Sequence, residues 1–251
     1  MTSPERIPIE RFGTLDSTQA EGRRRVEKGH VRETGELLLA REQTDGTGTR
    51  GRSWHSPPGG VWATFVLPVV AEEQIDGLGI RLGLAACETI IDHAESGGDV
   101  RLKWPNDILL DNRKVAGCLA EVLHGPKGRA ALLGVGINAN NPMGLVDGLR
   151  RLSISLVEAT GSEADLEAIA ERLATELAWV GRTRGLNTAT LARADDALWG
   201  IGERWTAETG QGGTLIGVGS HGGLVLDMDD GTHWRVPVNV RVTPGEVREP
   251  D

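Results

Sequence analysis

The sequence is poor in cysteine, in lysine and in long apolar runs, and each shortage removes a class of explanation. The two cysteines, Cys87 and Cys118, form no C-x-x-C pair and have no histidine at ligand spacing. That excludes a disulfide framework and a thiolate metal centre, so both thiols are expected to be small buried hydrophobes in a reducing compartment. No apolar stretch approaches the roughly 20 residues that span a bilayer, and residues 1–6 carry no apolar signal core. A basic surplus is also missing. Acidic residues outnumber basic ones 36 to 27, a net charge of −9, so no face for non-specific nucleic-acid binding is expected. These absences predict a cytoplasmic protein with no membrane and no DNA partner. Only four lysines occur (Lys28, Lys103, Lys114, Lys127) against many arginines, which gives weight to a lysine inside a motif.

What is present is an ordinary globular composition, 39% hydrophobic and 25% charged over 251 residues. That length accommodates one large domain and a small one. A short strand over residues 6–16 leads into Asp16-Ser17-Thr18, a cluster of helix-capping residues, and a helix over 19–29 with a glycine stop. Residues 37–40 and 61–67 read as strands, the second ended by Pro68. Apolar residues at helical spacing predict one long helix over 72–96. Three strands follow at 100–103, 107–110 and 114–122, then one at 130–138. Ser162 with Asp165 suggests a capping box before an amphipathic helix carrying Leu166, Ile169, Leu173, Leu177 and Val180. Beyond Gly200 the pattern is β only, with glycine-rich turns about every ten residues. Alternation of Trp234, Val236, Val238, Val240 and Val242 predicts a single strand despite Pro237. The fold class expected is α/β (α+β): a mixed β-sheet domain over 1–198 with helices packed on it, then a small SH3-like barrel over 199–251.

The stretch from Gly46 to Trp54 cannot pack as a core element, because it holds three glycines and two arginines. By spacing alone it matches both G-x-G-x-x-G and a P-loop with Arg52 in place of lysine. Both motifs need a helix immediately afterwards to carry phosphate at its N-terminus. Pro57-Pro58-Gly59-Gly60 forbid one here. The loop therefore joins two strands and exposes N–H groups and arginines suited to an anion.

Four polar clusters stand at strand ends: Asp16-Ser17-Thr18, Gln43 through Trp54, Lys103-Trp104-Pro105-Asn106-Asp107, and Arg113-Lys114-Val115-Ala116-Gly117. Ligands bind where strand ends and their loops converge. With Gly134-x-Gly136-Ile137-Asn138, these clusters resemble the biotin protein ligases in order and spacing over roughly residues 8 to 245. The resemblance implies an ATP-dependent, AMP-forming ligase. Biotin and ATP give biotinyl-5′-AMP and pyrophosphate, and a lysine of a biotin carboxyl carrier domain then attacks the mixed anhydride. It implies Lys114 and Arg52 as catalytic residues. Ser17, Thr18, Gln43, Gly46, Thr47, Lys114 and Gly117 would surround biotin. Thr49, Arg50, Arg52, Trp54, Asn106 and Asn138 would meet ATP or the adenylate, and Asp107 would organise Mg²⁺ or the incoming lysine.

Each assignment has a plainer counterpart: helix capping for Ser17 and Thr18, a core position for Trp54, a turn lysine for Lys114, and strand-end hydrogen bonding for Asp107 and Asn138. Two departures from the family stand out. The first strand begins within ten residues of Met1, so the N-terminal helix-turn-helix of some relatives, and repression with it, is not expected. The usual loop reads G-R-G-R-R-G-R, whereas this chain has Thr47 and Thr49 at the early arginine positions, so either Arg50 substitutes or the adenylate is held less tightly. Lipoate or octanoate ligation on the same fold and a non-catalytic biotin sensor are the alternatives. Relatives are monomers or dimers, which leaves a homodimer open.

Overall fold

The computed structural model describes residues 7–94, 98–143, 152–238 and 240–245. Strand β1 (Ile9–Leu15) runs through helix α1 (Thr18–Glu27) into β2 (Glu36–Gln43), parallel to β1. Antiparallel β3 (Val61–Val69) follows, then α2 (Leu78–Ile91), β4 (Val100–Lys103), β5 (Asp107–Leu110), β6 (Arg113–Gly125) and β7 (Gly128–Ile137). They form one seven-stranded mixed sheet in the order β1-β2-β3-β7-β6-β5-β4.

Strand periodicity sorts its side chains onto two faces. Ala63, Phe65, Leu133 and Val135 join the large core under α2 and α4 (Leu166–Arg182), while Leu38, Val66, Ala130 and Leu132 form a smaller core with Val26 of α1. Buried Arg81 on α2 donates to the carbonyls of Val180 and Thr183, 2.6 Å each, at the end of α4 where the helix dipole favours a cation. Cys87 and Cys118 are free and buried, as expected, and burial pushes the Cys87 thiol up to about 12. No helix among the described residues is long and apolar enough to cross a membrane.

Two further helices, α3 (Leu156–Thr160) and α5 (Thr188–Ala197), were not legible from periodicity. The C-terminal strands β8 (Arg204–Ala207), β9 (Gly212–Val218), β10 (Leu224–Asp227), β11 (His233–Arg235) and β12 (Val242–Pro244) form a five-stranded antiparallel sheet, β11-β10-β9-β8-β12. No pairing of β11 with β12 closes it among the described residues.

Several boundaries differ from the sequence expectation. The alternating run after Trp234 is two strands on opposite edges of the sheet, not one. Val236 is buried but Val238 beyond Pro237 is exposed, and the chain turns there. The predicted helix over 72–96 breaks into a single 3-10 turn and α2, because Gly77 adopts φ 64° and the left-handed region ends a helix; its expected end at Ser96 and Gly97 lies outside the described residues. Asp165 is itself the cap of α4, accepting from the N–H groups of Glu167 and Ala168, and Ser162 takes no part. Pro68 does not end β3. Pairing with β2 stops at Val66, so the strand is an open edge on that side where proline is tolerated.

Candidate functional site

The α1 face of the sheet changes character along β7. Ala130 and Leu132 lie under α1, whereas Gly134 and Gly136, two and four residues on, leave a floor without side chains. Gly117 of β6 pairs with Gly136 and widens that floor. A cleft of about 310 Å³ opens above it, lined by residues from α1, β2, β3, β6, β7 and the Gly46–Trp54 loop. The glycines are there for close approach. A Cβ at Gly136 would lie 2.6 Å from Trp54 Nε1, and one at Gly134 2.7 Å from Gln19 Oε1.

One end of the cleft is a buried hydrogen-bond network. Ser17 caps α1, its hydroxyl accepting from the N–H of Gln19 at 3.2 Å. Gln43 Oε1 accepts from the Thr18 N–H at 2.8 Å and lies 3.1 Å from the Thr18 hydroxyl. Its amide nitrogen donates to Ser56 Oγ at 2.8 Å. Thr64 Oγ1 lies 2.9 Å from Thr18 Oγ1 and 3.1 Å from Gln19 Oε1.

The other end is charged and open. The loop is a small hairpin: Trp54 N–H donates to Gly46 O and Gly48 N–H to Arg52 O, both at 2.7 Å. Its tip has consecutive left-handed residues, Arg50 at φ 61° and Gly51 at φ 71°. Arg52 Nη2 donates to Thr49 Oγ1 at 3.1 Å, so one of the two threonines holds the arginine that follows it. Lys114 extends beneath, its Nζ 2.5 Å from Asp107 Oδ1 and 4.8 Å from the centre of the Trp54 ring. The Lys114 backbone is braced by the 152–154 segment, donating to Leu152 O at 2.8 Å and accepting from the Ile154 N–H at 3.0 Å.

The turn between β4 and β5 connects the cleft to the C-terminal sheet. Asn106 lines the cleft, and its Nδ2 donates to Cys118 O at 3.1 Å. Two residues earlier, Trp104 Nε1 donates to Gly222 O in the β9–β10 turn at 2.9 Å, and Lys103 Nζ lies 4.9 Å from the Trp199 ring centre.

Eleven of the residues singled out by sequence line this one cleft: Ser17, Thr18, Gln43, Thr47, Thr49 and Arg52, together with Trp54, Asn106, Lys114, Gly117 and Asn138. Three do not. Gly46 packs behind the loop, where a Cβ would lie 2.4 Å from Trp54 O. Arg50 is exposed at the hairpin tip. Asp107 stands behind Lys114 as its ion-pair partner. No group of three or more His, Cys, Asp or Glu among the described residues is arranged to hold a metal.

Sequence reasoning missed Gln19, Thr64 and Ser153, which also line the cleft. A signal existed for the first two. Gln19 directly follows the capping cluster, and Thr64 is a polar residue inside the apolar run of β3. Ser153 had none, since it comes to Lys114 only through tertiary pairing.

A mixed sheet with a helix-bordered cleft, a lysine in its lining and an arginine-bearing hairpin beside it has the layout of a ligand-binding α/β protein. The biotin/lipoate A/B protein ligase family matches residues 15–138. Among curated relatives, the biotin–[acetyl-CoA-carboxylase] ligase of Paracoccus denitrificans is 34% identical over 75% of this chain and 82% of its own length. The bifunctional ligase/repressor BirA of Bacillus subtilis is 32% identical over 78% of this chain, which spans 63% of that protein. The biotin protein ligase of Aquifex aeolicus, solved with biotin and ATP, shares the fold, with a TM-score of 0.76 over 95% of this chain and 99% of that one at 24% identity. The chain belongs to the biotin protein ligase family.

Proposed function

We propose that the chain is an ATP-dependent biotin protein ligase. It forms biotinyl-5′-AMP from biotin and ATP with release of pyrophosphate, then passes biotin to a lysine of a biotin carboxyl carrier domain. The observation that carries this reading is Lys114, which lines one cleft together with the neutral Thr18–Gln43 network and the cationic Arg52 hairpin. Substrate identity is taken from similar proteins: two curated relatives are named as biotin–[acetyl-CoA-carboxylase] ligases, and the Aquifex aeolicus structural neighbour was solved with biotin and ATP.

The chemistry asks for such a cation. A carboxylate oxygen must attack the α-phosphorus, so two anions approach each other, and the bond to pyrophosphate breaks as the acyl-phosphate bond forms. A fixed ammonium between them cancels the repulsion and stabilises charge in the transition state. Lys114 takes that role in this reading, leaving Asp107 as the carboxylate approaches. In the second step the carrier's amine nitrogen attacks the acyl carbon, AMP departs, and in this reading Asp107, freed from Lys114, takes the amine proton. Arg52 meets the phosphates from the hairpin, Trp54 offers a flat face to the adenine, and the Thr18–Gln43 end takes the ureido head.

Mg²⁺ fits this arrangement only in part. It binds proteins through one or two carboxylates plus substrate phosphates, and Asp107, already paired with Lys114, is the acidic group that stands beside this lysine. Its contribution when bound would be to neutralise phosphate charge. We read residues 1–198 as the catalytic domain and 199–251 as a C-terminal domain of SH3-like size. Trp104 bridges the two, which gives the second domain a route to the cleft through Asn106 and Asp107.

The test is incubation of the protein with ATP, Mg²⁺, biotin and a carrier domain, followed by intact mass. A gain of one biotin on the carrier is expected. No gain, with biotin still bound, would replace the ligase with a sensor.

A further inference from the structure

The hydrogen-bond chain behind the Thr18–Gln43 end has a direction, set outside the cleft. Arg23 on α1 donates to both oxygens of Glu121 on β6, at 2.8 and 2.9 Å. A carboxylate only accepts. Gln19 Nε2 lies 2.6 Å from Glu121 Oε2, so the NH₂ of the amide faces Glu121 and Oε1 faces Thr64. An amide oxygen also only accepts, and the Thr64 hydroxyl has one proton for two contacts, Thr18 Oγ1 at 2.9 Å and Gln19 Oε1 at 3.1 Å. Giving it to Gln19 is the arrangement that leaves no buried acceptor of this chain of bonds unserved. The proton in the 2.9 Å contact between Thr18 and Thr64 then belongs to Thr18. Thr18 has none left for Gln43, whose Oε1 is held instead by the Thr18 backbone N–H. Thr18 Oγ1 and Gln43 Oε1 are thus left as neighbouring acceptors on the wall of the cleft that both residues line.

We infer that Glu121, held by Arg23, is a positioning residue that fixes the polarity of the Gln19–Thr64–Thr18 relay, so that the cleft selects a ligand presenting two N–H donors side by side. The N–H pair of a cyclic urea has that form, and this inference rests on the biotin reading above. With an amide at position 121 the polarity is no longer imposed. Gln19 is free to turn its NH₂ toward Thr64, Thr64 then donates to Thr18, and Thr18 donates to Gln43. That reversed chain consumes the acceptor pair.

The experiment compares wild type, E121Q and the reciprocal exchange Q19E/E121Q by biotin titration calorimetry, by KM and kcat for biotin and for ATP in pyrophosphate release, and by Tm. E121Q should weaken biotin binding about tenfold, the scale of one hydrogen bond, through KM for biotin and not KM for ATP. The exchange should restore it, because a carboxylate at 19 accepts from Thr64 whatever the amide at 121 does. E121Q that binds biotin like wild type overturns the relay. So does a loss that follows Tm and is not rescued by the exchange, since that marks a structural role alone. Wild type that binds no biotin overturns the functional reading itself, and the relay with it.

Discussion

The two ends of the cleft are built by opposite means. At the Thr18–Gln43 end, Ser17, Thr18, Gln19 and Thr64 are all at most 3% exposed, the Thr18 N–H holds Gln43 Oε1, and both residues bond further neighbours. They sit on a capped helix and two sheet strands. At the hairpin end, Arg50 and Arg52 are exposed and the loop is held by backbone bonds across it and by the Arg52 side chain donating to Thr49. The difference follows the ligand parts each end would meet. A neutral head of fixed shape is best recognised by donors and acceptors already in position, since an unmatched buried polar group costs about 1–3 kcal/mol. Polyphosphate is flexible and heavily charged, so groups that reorganise around it give up little order in advance. Substitutions should therefore cost binding and stability together at the first end, and rate or residence time alone at the second.

The largest effect is expected at the meeting point. Lys114→Ala should lower kcat for pyrophosphate release by about 100-fold or more, the scale of removing one group that stabilises transition-state charge. The Lys114–Asp107 pair is partly exposed, 24% and 28%, so its loss should move stability by no more than about 1 kcal/mol. Turnover and thermal melts measured on one preparation check both. Near-wild-type turnover would remove Lys114 from the chemistry.

Thr18→Val comes next. It keeps shape but deletes a buried hydroxyl that contacts Gln43 and Thr64. About 1–3 kcal/mol of stability should go, together with about a tenfold loss in biotin affinity. Biotin titrations and urea midpoints should move together. Movement in affinity alone would erase the contrast between the ends.

Thr49→Arg probes the open end with a smaller expected gain. Thr49 now accepts from Arg52. A guanidinium there adds a charged bond to the adenylate, worth about 1.5–3 kcal/mol at most, and adenylate dissociation should slow by about tenfold, with Tm unchanged. An unaltered dissociation rate would mean that the hairpin retains the intermediate without a charge at this position.

The contrast also explains what could be read in advance. The hairpin end was legible because its residue types are unusual: glycines that forbid packing, prolines that forbid a helix, and arginines without an apolar neighbour. The first half of the sheet was legible because β-strands and α1 follow hydrophobic periodicity and capping chemistry. The relay from Arg23 to Thr18 was not, since Gln19 and Glu121 are 102 residues apart and meet only once the period-two faces of β6 and the roof of α1 are assembled. The five-stranded sheet was misread at Val238 for the same reason. Alternation records which residues would face a core, but does not record where Pro237 turns the chain away from it.

The smallest effect tests whether the rigid end owes its order to the buried network or to the ion pair on its rim. Asp16 accepts from the Ser17 N–H at 2.8 Å and from the Arg24 fork at 2.7 and 2.9 Å. The hydrogen bonds from Arg24, chief among its surroundings, hold its carboxyl down at about 2 from an ordinary 3.8. A carboxyl lowered on folding contributes stability above its unfolded pKa, and that contribution is lost as pH falls from about 4 through 2. Because Asp16 is 47% exposed and Arg24 39%, solvent screening limits the pair to less than about 1 kcal/mol. Asp16→Asn should therefore lower the urea midpoint slightly at pH 7, with the difference from wild type shrinking steadily toward pH 3 and biotin affinity unchanged. A deficit as large as that of Thr18→Val, or one that persists undiminished at pH 3, would move the source of order from the buried hydroxyls to the rim.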